Sequence, residues 1–242
     1  AKKRVTRGDD FDMDVWQSFL DDENDISTPH FTIGAFECPL LDKPPGVYCL
    51  MESRAAQYSE DNNIPQDAYS DKEIGLNFPM KIANFAYQFQ QTYEGAGSGY
   101  SLRYEYENTV KIDIYVYDFD QKDIEDGINS QKVRTELDDF YSMISYMQSQ
   151  GDYQNAIELD SGEKEFSSKT IRFLWSQFQY EKSPGDGVRY DGELISSIYL
   201  TGFKGKFIKI RLSSKKMDHI EREKDIEAFM NAFSMFLDIS GP

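Results

Sequence analysis

The stretch YSLRYEYENTVKIDIYVYDF, Tyr100 to Phe119, decides the fold class. Tyr100, Leu102, Tyr104 and Tyr106 alternate with Ser101, Arg103 and Glu105. After Glu107-Asn108-Thr109, a second run sets Val110, Ile112, Ile114 and Val116 against Lys111, Asp113, Tyr115 and Tyr117. A period of two carried by aromatic and β-branched residues describes a half-buried strand, and the polar break supplies the turn of an antiparallel hairpin. If Ile112 and Ile114 face the core, a slip of one residue would reverse every side chain, so the register is strongly specified.

Downstream, Ser130 stands before a helix running to about Gln150. Val133, Leu137, Phe140, Ile144 and Met147 form its apolar stripe, and Gly151 ends it. Tyr153 to Leu159, Lys169 to Glu181, Glu193 to Phe203 and Lys206 to Ser213 read as successive strands. Turn chemistry separates them at Ser161-Gly162, at Pro184-Gly185-Asp186-Gly187 and at Lys204-Gly205. Short connections predict antiparallel neighbours. A last helix, from about Ile220 to Leu237, carries Ile226, Phe229, Met230, Phe233 and Leu237, with Glu221 and Glu223 in its first turn as the helix dipole prefers. Upstream, Leu76 and Phe78 precede Pro79, and Ala83, Phe85, Tyr87 and Phe89 share one parity of an edge or early strand. Strands, helix, meander and helix in that order predict the α+β class, an antiparallel β-sheet covered by helices.

Residues 1–73 have a different character, with sixteen acidic against seven basic residues. Val15, Trp16, Phe19 and Leu20 suit one short amphipathic helix. Phe31 to Phe36 and Val47 to Met51 suit short strands, and Ser59 to Lys72 has linker composition. The expected organisation is an acidic segment over 1–73 and a sandwich domain over 74–242. Cys38 and Cys49, the only cysteines, flank a span containing Asp42, Pro44, Pro45 and Gly46. A disulfide between them would close a short loop and stabilise it by roughly 3 kcal/mol in the chain-entropy model. Such a bond suits an oxidising compartment.

The chain has 242 residues and a net charge of −17, from 26 Lys and Arg against 43 Asp and Glu. That balance repels nucleic-acid phosphates and anionic lipid headgroups and attracts a basic protein or cations. No apolar run reaches the roughly 18 residues of a membrane-spanning helix. No signal peptide is evident, since Asp9, Asp10, Asp12 and Asp14 stand where its apolar segment belongs. The chain is therefore either cytoplasmic or a mature form without its leader.

GLNFP at Gly75, YE at Tyr93, GYSLRYEY at Gly99, DIYVYDF at Asp113, EDGINSQKV at Glu125 and LTGFKGKFIKIRLS at Leu200 resemble landmarks of a family of uncharacterised bacterial proteins, many of them exported. The resemblance spans about Ile74 to the C-terminus. The order of elements is also similar to the α/β/α sandwich of PsbP and DcrB. These likenesses imply a periplasmic or secreted protein with a binding or assembly role. They transfer no functional residue, because a fold hosts many functions.

Reactive motifs are sparse. His30 and His219 are the only histidines, and no G-x-S-x-G elbow accompanies either. His219 reads as part of the turn into the last helix. The Gly95 to Gly99 stretch leads into a strand rather than a helix, which argues against phosphate binding and for a flexible or bulged turn. Asp118, Asp120, Asp123, Glu125 and Asp126 match no calcium-loop register and read as a solvated turn. Tyr115 and Tyr117 read as an aromatic face packed under a helix.

The one departure from acidity is Lys204, Lys206, Lys209, Arg211, Lys215 and Lys216, a candidate patch for an anionic ligand or partner segment. Lys209 and Arg211 share the parity of Phe207, and their heads are expected to reach solvent or nearby acids. The expected function is a non-enzymatic exported protein that binds another protein and uses no cofactor or metal. A carboxylate- or metal-dependent hydrolase, or an acidic immunity- or chaperone-type protein neutralising a basic partner, are the alternatives.

Overall fold

The computed structural model describes residues 67–168, 170–182 and 192–239. Their elements run β1 (Asp67–Asp71), β2 (Leu76–Pro79), β3 (Lys81–Ile82), β4 (Phe85–Thr92), β5 (Tyr100–Tyr106) and β6 (Val110–Tyr117). Then come α1 (Gln131–Gln150), β7 (Tyr153–Glu165), β8 (Arg172–Lys182), β9 (Glu193–Phe203), β10 (Lys206–Lys215), α2 (Lys216–Glu221) and α3 (Glu223–Ile239). One antiparallel sheet has the order β3-β4-β5-β6-β10-β9-β8-β7, with β1 and β2 as a separate hairpin. The chain is α+β, a sheet with helices packed on it, as the alternation and the helical stripes require of each other.

The hairpin has the expected register, Tyr100 opposite Val116 through Tyr106 opposite Val110. Glu107 and Asn108 have φ of 46° and 58°. Both signs are positive, as in the tight turns whose twist matches a hairpin. Ile112 and Ile114 are wholly buried. They join Leu102, Tyr104, Ile208, Ile210 and Leu212 in a core closed by Ile226, Phe229, Met230, Phe233 and Leu237 of α3. On the opposite face, Val133, Phe140, Met143, Ile144 and Met147 of α1 pack on Tyr115, Tyr117, Phe178, Ile198 and Phe207. The central strands are therefore buried on both sides, and the hairpin expected to be half-buried is covered twice.

Other local expectations meet the structure at particular residues. Ser130 holds the N-cap position of α1 without a hydroxyl cap bond, and Gly151 ends the helix at φ 84°. The last helix is broken at Arg222 into α2 and α3. Ser161-Gly162 is no turn: β7 runs through it to Glu165. Asp67–Asp71, inside the expected linker, pairs with β2. The glycine stretch is a packed turn, because a Cβ on Gly99, at φ 70°, would lie 1.9 Å from the Val116 carbonyl oxygen. The expected solvated turn after Phe119 is partly core: Ile124 and Ile128 are buried, and Gly127 exchanges hydrogen bonds with Gly202 at 2.8 and 3.1 Å. The expected helix around Trp16, the strands at Phe31 and Val47, and Cys38 and Cys49 lie outside the described residues.

Candidate functional site

The six residues of the basic patch go to three different places. Lys204 and Lys206 follow the β9–β10 turn and clasp one end of the sheet. Lys204 Nζ donates to the Ile74 carbonyl at 3.0 Å, and its backbone N–H donates to Asp126 at 2.6 Å. Lys206 Nζ bridges Asp118 at 2.7 Å and Glu73 at 2.9 Å. Burial works to lower the Lys206 pKa, but these two carboxylates outweigh it and the net shift is upward. At the far end of β10, Lys215 is exposed, and Lys216 pairs with Glu193 at 2.9 Å.

Lys209 and Arg211 lie in the interior, 3% and 4% exposed, so of the two expected destinations, solvent and nearby acids, solvent does not apply. The reason is the second cover: the parity they share with Phe207 faces α1. There they belong to a buried polar field. Arg103 lies opposite Asp113 on the neighbouring strand, and Asp113 lies opposite Arg211, so the three form one cross-strand row. Arg103 donates to both Asp113 oxygens, Nε to Oδ1 at 2.7 Å and Nη2 to Oδ2 at 3.2 Å. This two-point geometry is the strong form of a guanidinium–carboxylate pair. Arg211 Nη2 donates to the Tyr153 hydroxyl at 3.2 Å. The Tyr117 hydroxyl donates to Glu136 of α1 at 2.7 Å, and its pKa is pushed well up, first by burial and then by that carboxylate.

Lys209 Nζ sits 5.1 and 5.0 Å from the ring centres of Tyr115 and Tyr117, the cation–π range. Burial pulls its pKa down to about 7, with Arg211 adding repulsion and Glu136 opposing the shift. A neutral amine near neutrality has nucleophilic character. Under α1, however, it is held as a packing and electrostatic element of the sheet.

His219 lies in α2, its Nδ1 3.4 Å from Ser214 Oγ and its Nε2 3.1 Å from the Gln177 amide nitrogen. Ser214 is wholly buried, and burial lowers the pKa of the ring. The pair is a packed polar contact, consistent with a histidine at the entry to the last helix. Among the described residues, no group of three or more His, Cys, Asp or Glu side chains is arranged to hold a metal ion. No described helix is long and apolar enough to cross a membrane.

No family model matches the chain. No curated protein matches it either. Among solved structures it is similar to cyanobacterial PsbP (CyanoP) from Synechocystis sp. PCC 6803, at 15% identity and a TM-score of 0.40, over 68% of this chain and 88% of that one.

The sequence pattern missed one open groove among the described residues. β7 is the terminal strand of the sheet, paired only with β8 among the described strands. A shallow open groove of about 330 Å³ runs between it and α1, lined by Leu137, Tyr141, Leu174 and Trp175 with Arg134 and Glu163 at its rim. Arg134 and Arg172 both bridge Glu163, at 3.5 and 3.1 Å. The signal was present as Glu163-Lys164-Glu165, the charged decoration that edge strands carry. It was masked by Ser161-Gly162, which reads as a turn.

Proposed function

We propose that this protein is a non-enzymatic binding or assembly protein whose partner is a protein with a basic surface. The observation that supports this is where the charge resides. Arg103, Lys111, Asp113, Glu136, Lys209 and Arg211 are all buried, and together they carry a formal +2. The described residues carry −10 in all, so those outside the interior carry −12. The one basic stretch of the sequence is largely internal or clasped to carboxylates, so the surface of the described residues is more acidic than their composition implies. Such a surface speeds encounter with a cationic partner and gives an association that weakens with salt, since exposed charges are screened beyond about 8 Å at physiological ionic strength.

Export to an oxidising compartment belongs to the same reading and rests on the Cys38 and Cys49 spacing. Thiol titration of the unfolded, unreduced protein is expected to find no free thiol; two would remove that support. The binding role is tested by capture from the native organism at low and high salt. A stoichiometric basic protein released by salt is expected. Salt-insensitive binding of a small molecule, or stoichiometric metal in the purified protein, would overturn the reading in favour of a ligand carrier or an enzyme.

A further inference from the structure

We infer that the β7 edge and the α1 groove beside it accept an extended basic peptide segment, which adds to the sheet as a further strand. The inference rests on the proposed binding role and names the partner's chemistry and its mode of docking. β7 has 13 residues. From Asn155 to Glu165 its side chains are exposed on both faces, apart from the half-buried Ala156 and Lys164. Its pairing with β8 is irregular between Gln154 and Ile157 and between Glu158 and Asp160. From Asp160 to Glu165 it is regular, opposite Gln177 to Arg172. Among the described strands nothing pairs with the outer side of that regular segment, which leaves there the backbone donors and acceptors that strand addition uses for affinity.

Two further observations mark this edge as a receptor. Ile157 and Leu159 are 52% and 44% exposed, large aliphatic side chains placed on the edge itself. The groove between the strand and α1 gives side chains of an added strand an apolar wall in the half-buried Leu137 and Tyr141 of α1, above the buried Leu174. A sheet edge flanked by a helix supplies backbone pairing from one wall and side-chain selection from the other. At the opposite edge the two residues of β3 cover only Phe85 and Ala86, and the remainder of β4 is shorter than β7 and broken by a register shift between Tyr87 and Phe89.

Charge selects the occupant. β7 carries Glu158, Asp160, Glu163 and Glu165 against Lys164; with Glu163 bridged by Arg134 and Arg172, the other three carboxylates are the ones that meet a partner. Antiparallel self-pairing would place carboxylates opposite carboxylates, which is destabilising, so a second copy of this chain is disfavoured. An extended segment with alternating Lys or Arg meets the same strand with complementary charge.

The probe is a fluorescein-labelled peptide of alternating lysine and valine, about ten residues long to match the strand. Salt-sensitive binding to the full chain is expected, together with new hydrogen-exchange protection of amides in Asp160 to Glu165. Simple electrostatic adhesion would leave those amides unprotected. The D160K/E165K variant changes two exposed side chains, and an unchanged thermal transition checks that it folds. It is expected to weaken the peptide by about tenfold or more. Binding without new β7 protection, undiminished binding to the variant, or a β7-protected dimer of this chain would each overturn the inference. If a salt-sensitive basic partner is captured and D160K/E165K still binds it fully, strand addition fails while the binding role stands. If neither peptide nor partner is bound, both fail.

Discussion

The two faces of the sheet are made by the same strands and held by different physics. Toward α3, β5, β6 and β10 present Leu102, Tyr104, Ile112, Ile114, Ile208, Ile210 and Leu212, all 0% exposed. Toward α1 the alternate residues include Arg103, Lys111, Asp113, Lys209 and Arg211, all 2–4% exposed. The first face is stabilised by apolar area and close packing, which is non-directional and graded in volume. The second depends on each charge finding its partner in a medium of low dielectric, where a missing partner is expensive. Equal burial thus hides unequal sensitivity: one face responds to a lost methyl group, the other to a lost oxygen atom.

The sharpest break of that comparison is Asp113→Ala, which removes the carboxylate from the buried two-point pair with Arg103. It is expected to destabilise the protein by about 3–5 kcal/mol in urea unfolding. Replacing both partners, Arg103→Met with Asp113→Leu, is expected to recover most of that loss. A loss below about 1 kcal/mol for Asp113→Ala would mean the polar face is no more sensitive than the apolar one.

Next in size is a pH effect at Lys209, whose folded pKa lies near 7, below its ordinary value of 10.5. Between these limits the unfolded chain binds more protons than the native one, so stability rises with pH. Relative to Lys209→Met, the wild type is expected to gain about 3 kcal/mol from pH 7 to about 9.5. A difference that stays flat across that window would show that the lysine keeps its charge beneath α1.

On the apolar face, Ile114→Val is expected to cost about 0.5–1.5 kcal/mol, with no pH dependence of its own. The smallest effect belongs to an exposed pair. Glu163→Gln removes bridges to Arg134 and Arg172, whose side chains are 45% and 39% exposed. It is expected to change stability by less than about 1 kcal/mol, and salt should erase the change. A loss comparable to that of Asp113→Ala would contradict the role assigned to burial.

Much of the fold was legible because its signals are local. The hairpin turn at Glu107-Asn108, the α1 stripe from Val133 to Met147, the left-handed Gly151 and the α3 stripe from Ile226 to Leu237 all depend on neighbours within a turn or a strand pair. The candidate site was less legible. Lys204, Lys206, Lys209, Arg211, Lys215 and Lys216 are continuous in sequence but reach a clasp, an interior and a rim. The acidic edge from Asp160 to Glu165 was hidden behind a Ser-Gly pair that also occurs within strands.

The sequence by itself determined which residues alternate, where helices carry their apolar stripes and how negative the whole chain is, because these properties are sums over local spacing and composition. Only the tertiary structure decided that β6 pairs with β10, that the meander puts β7 at the rim, and that α1 packs on the parity of β6 and β10 that carries Tyr115, Tyr117 and Phe207. Burial of a strand face is set by whatever lies across it, and here that is a helix brought from elsewhere in the chain. The same alternation of Ile with Lys and Asp describes a half-exposed strand or one covered twice. Lys209 became an interior amine for that reason.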